Sequence, residues 1–136
     1  MQCSTMWVYL NTSMYSGQRM HTSEHQREET SVHCRHILCK AASLAATRDT
    51  GNQHIVFSVF LAGVNSLMKR DRNRALSIIR VIEGRGVGCN VTESRKLLEA
   101  MYHEQEVRAR CGQSTDDLDW VSFGQEQDIK IVSFGV

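Results

Sequence analysis

Along this chain, apolar residues recur mostly at three- and four-residue intervals, the period of a helix with one buried stripe. From Ser4 to Tyr15 the apolar positions are Met6, Trp7, Leu10 and Met14, which suits a short helix ended by Ser16-Gly17. A second helix is expected from Ser23. Ser23 and Gln26 have capping-box spacing, and Glu24 puts negative charge at the positive end of the helix dipole. Its stripe is Cys34, Ile37, Leu38, Ala41, Leu44 and Ala45, running to about Thr47 before the turn cluster Arg48-Asp49-Thr50-Gly51-Asn52.

The segment Ile55 to Val64 is apolar almost all round, broken only by Ser58 and Gly63. Periodicity alone allows a buried strand or a buried helix there. The helical neighbours favour a central helix. Ala75, Leu76, Ile79 and Ile82 form the next stripe, after the basic run Lys69-Arg70-Asp71-Arg72-Asn73-Arg74 and before the stop Gly84-Arg85-Gly86-Val87-Gly88. Asn90 starts a further helix with Glu93 in the capping-box position, and Val91, Ser94, Leu97, Leu98, Met101 and Gln105 share its inner face. Asp116-Asp117-Leu118-Asp119 is an acidic start before Trp120 and Val121, and the alternation from Ile129 to Phe134 suits an extended end. With no internal repeat and no Pro-, Gly- or Ser-rich linker, the expectation is a single all-α domain over residues 1–136, an irregular helical array.

Composition agrees with this. The chain has 136 residues and no proline, where average usage of about 5% would supply roughly seven. Proline breaks helix interiors, so its absence fits a helical chain. The net charge of +1 creates no general attraction to nucleic acid or anionic lipid. The five cysteines (Cys3, Cys34, Cys39, Cys89 and Cys111) are odd in number and irregular in spacing, which points to a reducing compartment rather than a disulfide framework. The apolar run Met6 to Leu10 is too short for a secretory signal, and Ile55 to Val64 is too short for a membrane span, which takes roughly twenty residues. The chain is therefore expected not to be secreted and to have no membrane partner, and the sequon Asn90-Val91-Thr92 has no meaning in that setting.

Four groupings have the composition of a chemical site. His33-Cys34-Arg35-His36-Ile37-Leu38-Cys39 contains good zinc ligands, and His36 and Cys39 are neighbours on a helix. Cys34 belongs to the apolar stripe, however, and no second ligand pair follows, so a packing role is favoured. Gly84-x-Gly86-x-Gly88 resembles a phosphate loop, but a helix rather than a strand precedes it and no Gly-Lys-Ser/Thr follows, so a turn is favoured. The basic run Lys69 to Arg74 has no interleaved aromatic residue and reads as a solvated face rather than a nucleic-acid patch. Asp116, Asp117 and Asp119 suit helix capping better than cation binding. No serine sits in a nucleophile motif. The expectation is no enzyme, no catalytic residue, no metal and no cofactor.

Taken in order, several segments resemble the fungal-specific transcription factor domain, the regulatory domain of zinc-cluster factors. These are Trp7 to Arg19; Val56 to Val64, with Ala62-Gly63 at the end of a Phe-rich apolar run; Arg74-Ala75-Leu76 through Ile82-Glu83; Gly86-Val87-Gly88-Cys89-Asn90; Leu97-Leu98 with Met101-Tyr102; Asp119-Trp120-Val121; and Val132-Ser133-Phe134-Gly135-Val136. Ser16 and Ser58 stand where relatives usually carry proline, so a rigid bend is lost at each. The resemblance covers nearly the whole chain and corresponds to the C-terminal part of that domain. The five cysteines do not reproduce the zinc cluster, so no DNA-contacting residue carries over.

The resemblance implies an all-helical, transcription-factor-like regulatory protein, nuclear or cytoplasmic, controlling a fungal gene set such as one for secondary metabolism. Its expected partner is a protein, either a second copy or a full-length zinc-cluster factor, with no direct DNA contact. One alternative is a sensing module whose helix Ile55 to Val64, flanked by Met68 and Met101, lines a pocket for a hydrophobic small molecule. Another is a truncated factor without an independent role, which would expose apolar surface and aggregate.

Overall fold

The computed structural model describes residues 1–12, 23–47, 55–86 and 89–129. Among them are six helices: α1 (Gln2–Thr12), α2 (Glu24–Ala46), α3 (Val56–Val64), α4 (Lys69–Glu83), α5 (Cys89–Arg110) and α6 (Trp120–Glu126), with no strand. The all-α expectation holds. Met14, Tyr15 and the Ser16-Gly17 stop, the turn cluster Arg48 to Asn52, Val87-Gly88, and the run beyond Ile129 lie outside the described residues.

α3 is the centre of the array. It packs against α1, α2, α4 and α5, and every residue from Val56 to Val64 is buried except Phe57, which is half-buried. A segment apolar on all faces needs apolar neighbours on all sides, and a helix surrounded by helices supplies them. The contact is closest at Gly63. A Cβ built there would lie 2.9 Å from Ala75 Cβ, 3.0 Å from Leu98 Cδ2 and 3.0 Å from the Tyr102 hydroxyl oxygen. Glycine is required here by the approach of three helices. The Tyr102 hydroxyl donates to the Gly63 carbonyl at 2.8 Å, tying α5 to the last turn of α3.

The helix ends follow from local sequence. Ser23 Oγ accepts from the Gln26 amide at 3.2 Å, as its capping spacing predicts, and Asp119 Oδ1 accepts from the Ser122 amide at 2.9 Å at the start of α6. α5 ends in a Schellman turn, with Gly112 at φ 68° and the Gln113 amide donating to Arg108 O at 2.8 Å. α6 ends the same way with Asp128 at φ 53° and the Ile129 amide donating to Gly124 O at 2.9 Å. α2 is closed from a distance. Arg85, in the glycine-rich stop after α4, donates to Thr47 O at 2.9 Å and also to Ala45 O, placing a cation at the negative end of the α2 dipole.

The inner faces of α2 and α5 are close to those expected. Cys34, Ile37, Leu38, Ala41 and Ala45 are buried, while Leu44 is partly exposed. On α5, Val91, Ser94, Leu97, Leu98, Met101 and Gln105 are all buried. In α4, Ile78 joins the buried stripe and Leu76 only borders it. α1 differs most. Its buried face is Ser4, Val8 and Thr12, whereas Met6 and Leu10 are exposed. Two polar residues lie inward because each finds partners there: Thr12 Oγ1 donates to Val8 O at 2.6 Å, and Ser4 Oγ lies 3.0 Å from His36 Nδ1. An aromatic chain joins α1, α3 and α6, running from Tyr9 to Phe57 to Trp120 to Phe60, with Trp120 and Phe60 edge to face at 5.2 Å.

α4 and α5 are also joined by ion pairs. Arg95 meets Glu83 at 2.7 Å and Glu99 at 2.8 Å, and Arg80 meets Glu99 at 2.9 Å. The hydrogen bond from Arg95 holds the Glu83 carboxyl below its ordinary 4.5, with a further bond from Thr92 acting in the same direction. A carboxyl with a depressed folded-state pKa stabilises the fold above its unfolded value and loses that contribution as pH falls through the folded value. The acid limb of a denaturation profile should therefore be shallower in Glu83→Gln than in the parent chain below about pH 4.5. Parallel acid limbs would show that the pair does not stabilise the fold. At the three-helix contact, Gly63→Ala should lower the unfolding free energy by about 1–3 kcal/mol, measured by chemical denaturation, because the added methyl overpacks a rigid crossing.

Candidate binding groove

The histidine–cysteine segment serves the interface between α1 and α2. Cys34 lies in the core; burial first, and Asp71 second, push its thiol up to about 12. His33 and His36 turn their Nδ1 atoms toward the same Ser4 Oγ, at 3.2 and 3.0 Å, and Trp7 stacks on His33 with ring centroids 4.6 Å apart. Cys39 is exposed and accepts from Arg74 Nη1 at 3.6 Å. Among the described residues, no three His, Cys, Asp or Glu side chains gather as a metal site would need. In the native chain, a thiol reagent at neutral pH should label Cys3, Cys39 and Cys111, which are exposed, and reach Cys34 only on unfolding. Rapid native labelling of Cys34, read by peptide mass spectrometry, would contradict its placement.

The remaining sequence candidates are dispersed. The basic run forms the first turns of α4, where Asp71 is buried, Arg72 is half-buried and the other four residues are exposed. Asp116 pairs with Arg27 at 3.2 Å, Asp117 pairs with Arg108 at 2.9 Å, and Asp119 caps α6. The two methionines proposed to flank a hydrophobic pocket are separated by environment: Met101 is fully buried in the core, and Met68 is 60% exposed. The apolar wall of α3 is closed by packing. No described helix is long and apolar enough to cross a membrane.

A polar groove was not foreseen from the sequence. One stripe of α2, formed by Glu24, Arg27, Glu28, Ser31 and Arg35, makes a wall, with Ser23 at its end and Leu67 opposite; the space is about 610 Å³. These residues follow the helical period, but only the turn after α3, which brings Leu67 across, makes the stripe into a groove. At Arg27 and Leu67 the groove meets a smaller, more enclosed chamber of about 130 Å³, whose lining also includes Asn65, Arg72, Gln105 and Asp116. The exposed Arg27–Asp116 pair links α2 to the segment before α6 at this junction. Exposed pairs of this kind contribute little stability, so its main effect is on the shape of the groove.

The chamber wall is well ordered by hydrogen bonds. Asn65 ends α3, and its Nδ2 donates to Leu61 O at 2.9 Å and to Thr12 Oγ1 at 3.1 Å. Leu61 O can only accept, and the Thr12 hydroxyl proton is already given to Val8 O. The amide nitrogen must therefore face these two atoms, and this fixes the opposite end of the amide as oxygen. That Oδ1 is buried without a hydrogen-bond partner, as is Oε1 of Gln105. Arg72 Nε donates to Ser66 O at 2.8 Å, and its guanidinium lies 5.5 Å from the centroid of the Tyr102 ring. Burial pushes the Tyr102 phenol far above its ordinary 10, against the pull of Arg72, so it remains a proton donor to Gly63.

Compared with protein-family models, with curated proteins and with solved structures, the chain matches none of them. A functional reading therefore rests on this geometry and on the resemblance of the sequence segments.

Proposed function

We propose that this chain is a regulatory interaction module, transcription-factor-like in role, that acts in the nucleus or cytoplasm by contacting another protein rather than by reading DNA. The observation that carries the contact is the groove along α2, a long polar wall faced by Leu67, which is 52% exposed. A large apolar side chain held beside a polar trough offers a partner an anchor and a set of orienting hydrogen bonds. Met68, the next residue in the chain, is exposed as well.

The transcriptional part of the proposal is supported by the ordered resemblance to the regulatory domain of zinc-cluster factors. Gly63, Leu98 and Tyr102, which belong to segments that carry it, meet at the crossing of α3 and α5. The expected partner is a full-length zinc-cluster factor or a second copy of the chain, and the expected output is control of a fungal gene set.

Affinity purification of the tagged chain from a fungus that expresses it tests this reading, with sedimentation velocity of the pure protein for self-association. A zinc-cluster factor should co-purify with the parent chain, or a dimer should form, and Leu67→Asp should reduce either at least tenfold. A monomer that recovers no such factor would overturn the reading.

A further inference from the structure

α2 packs on α1, α3 and α4, and its buried stripe runs through Cys34, Ile37, Leu38, Ala41 and Ala45. Val32 lies across the helix from that stripe and is 57% exposed. His25 and Cys39, two turns before and after it, continue the same outward line and are exposed as well. Exposed Glu28 and Arg35 border Val32, four residues before it and three after. At about 100° per residue they lie about 40° and about 60° from Val32 in the same direction, so both stand on one flank of it. The charges divide along the helix: Glu24, Glu28 and Glu29 precede Val32, and Arg35 and Lys40 follow it. Arg27, the basic exception, pairs with Asp116 at 3.2 Å. Glu29 meets His25 at 3.6 Å and Arg35 donates to Ser31 at 3.0 Å, both partners being on α2 itself.

This pattern is complementary to its own reverse. A second copy laid parallel on this face would set Glu28 beside Glu28 and Arg35 beside Arg35, and like charges opposed in this way disfavour the pairing. A copy laid antiparallel, about a two-fold axis at Val32, reverses the order. Glu28 lies about 6 Å before the axis and Arg35 about 4.5 Å after it, so the two come level to within about 1.5 Å. Such an axis keeps each flank with its own counterpart, and Glu28 of each copy therefore meets Arg35 of the other. Val32 meets Val32 at the centre, and His25 faces Cys39. Every contact occurs twice, as an isologous interface requires. One pair of helices buries less than the roughly 1,200 Å² of a standard interface, so the association is weak and sensitive to salt.

We propose that the outward face of α2 is a self-association surface, on which a second copy of the chain lays its own α2 antiparallel about Val32, with Glu28 and Arg35 paired reciprocally. The proposal rests on the interaction reading above, within which it names the second copy as partner, and it takes Val32 rather than Leu67 as the apolar anchor.

The test is sedimentation equilibrium of the full chain over a concentration series. A monomer–dimer equilibrium is expected at low salt, shifting to monomer at about 1 M salt, where the screening length falls to about 3 Å. Glu28→Arg and Arg35→Glu should each weaken dimerisation by at least about tenfold, because each sets like charges together twice. An equimolar mixture of the two variants should form a heterodimer about as well as the parent chain dimerises, since every arginine then meets a glutamate. In His25→Cys, oxidation with diamide should give a covalent dimer whose disulfide, mapped by peptide mass spectrometry, joins the introduced thiol to Cys39 of the other copy. This crosslink keeps Glu28 and Arg35 intact and is independent of how the charge variants fold. A monomer at every concentration, charge variants that dimerise like the parent, a mixture of folded variants that stays monomeric, or a disulfide between the two introduced thiols overturns the proposal. A monomer that still co-purifies a zinc-cluster factor, or a dimer weakened by Leu67→Asp but not by the charge variants, overturns this proposal alone. A monomer that recovers no such factor overturns the interaction reading with it.

Discussion

The approach of three helices at Gly63 determines much of the rest. With no side chain, α3 comes close enough for Ala75 of α4 and Leu98 of α5 to touch its backbone, and Tyr102 reaches the exposed carbonyl. Tyr102 then provides the ring beside which Arg72 lies, and Arg72 in turn holds the Ser66 carbonyl. The turn from Asn65 to Met68 is thereby fixed, and with it the position of Leu67 across from α2. The wall of the groove is set by a contact that lies within the core.

Much of the fold was legible because burial and helical period coincide. The stripe of α5 from Val91 to Gln105 is legible down to its polar members, Ser94 and Gln105, since both fall on the same face as Leu97, Leu98 and Met101. Ser23 and Asp119 were legible as caps because capping depends on residues three apart in sequence. α1 was legible as a helix but not in its orientation. Its apolar side chains Met6 and Leu10 suggested one buried face, whereas Ser4 and Thr12 found hydrogen-bond partners on α2 and at the end of α3. Those partners are 32 and 53 residues away in sequence, beyond the range of any local pattern.

The groove was hidden for a related reason. Each of its residues is ordinary where it stands: a charged stripe on α2, an asparagine ending a helix, a glutamine at the edge of an inner face. Their arrangement depends on which end of the Asn65 amide faces Leu61 and Thr12, and that requires the three-dimensional structure. The motifs that did stand out in sequence proved to be connections. The histidine–cysteine segment binds α1 to α2, the acidic cluster caps and pairs, and the glycine-rich stop supplies the arginine that closes α2.

The shared Ser4 contact also sets the alignment of α1 on α2. His33 and His36 are one turn apart, and the Ser4 hydroxyl lies within 0.2 Å of the same distance from each, at 3.2 and 3.0 Å. Sliding α1 along α2 in either direction would shorten one contact only by lengthening the other. The hydroxyl thus acts as a detent between two adjacent turns, and it adds a directional contact to the register that the Trp7–His33 stack and the packing of Val8 already favour.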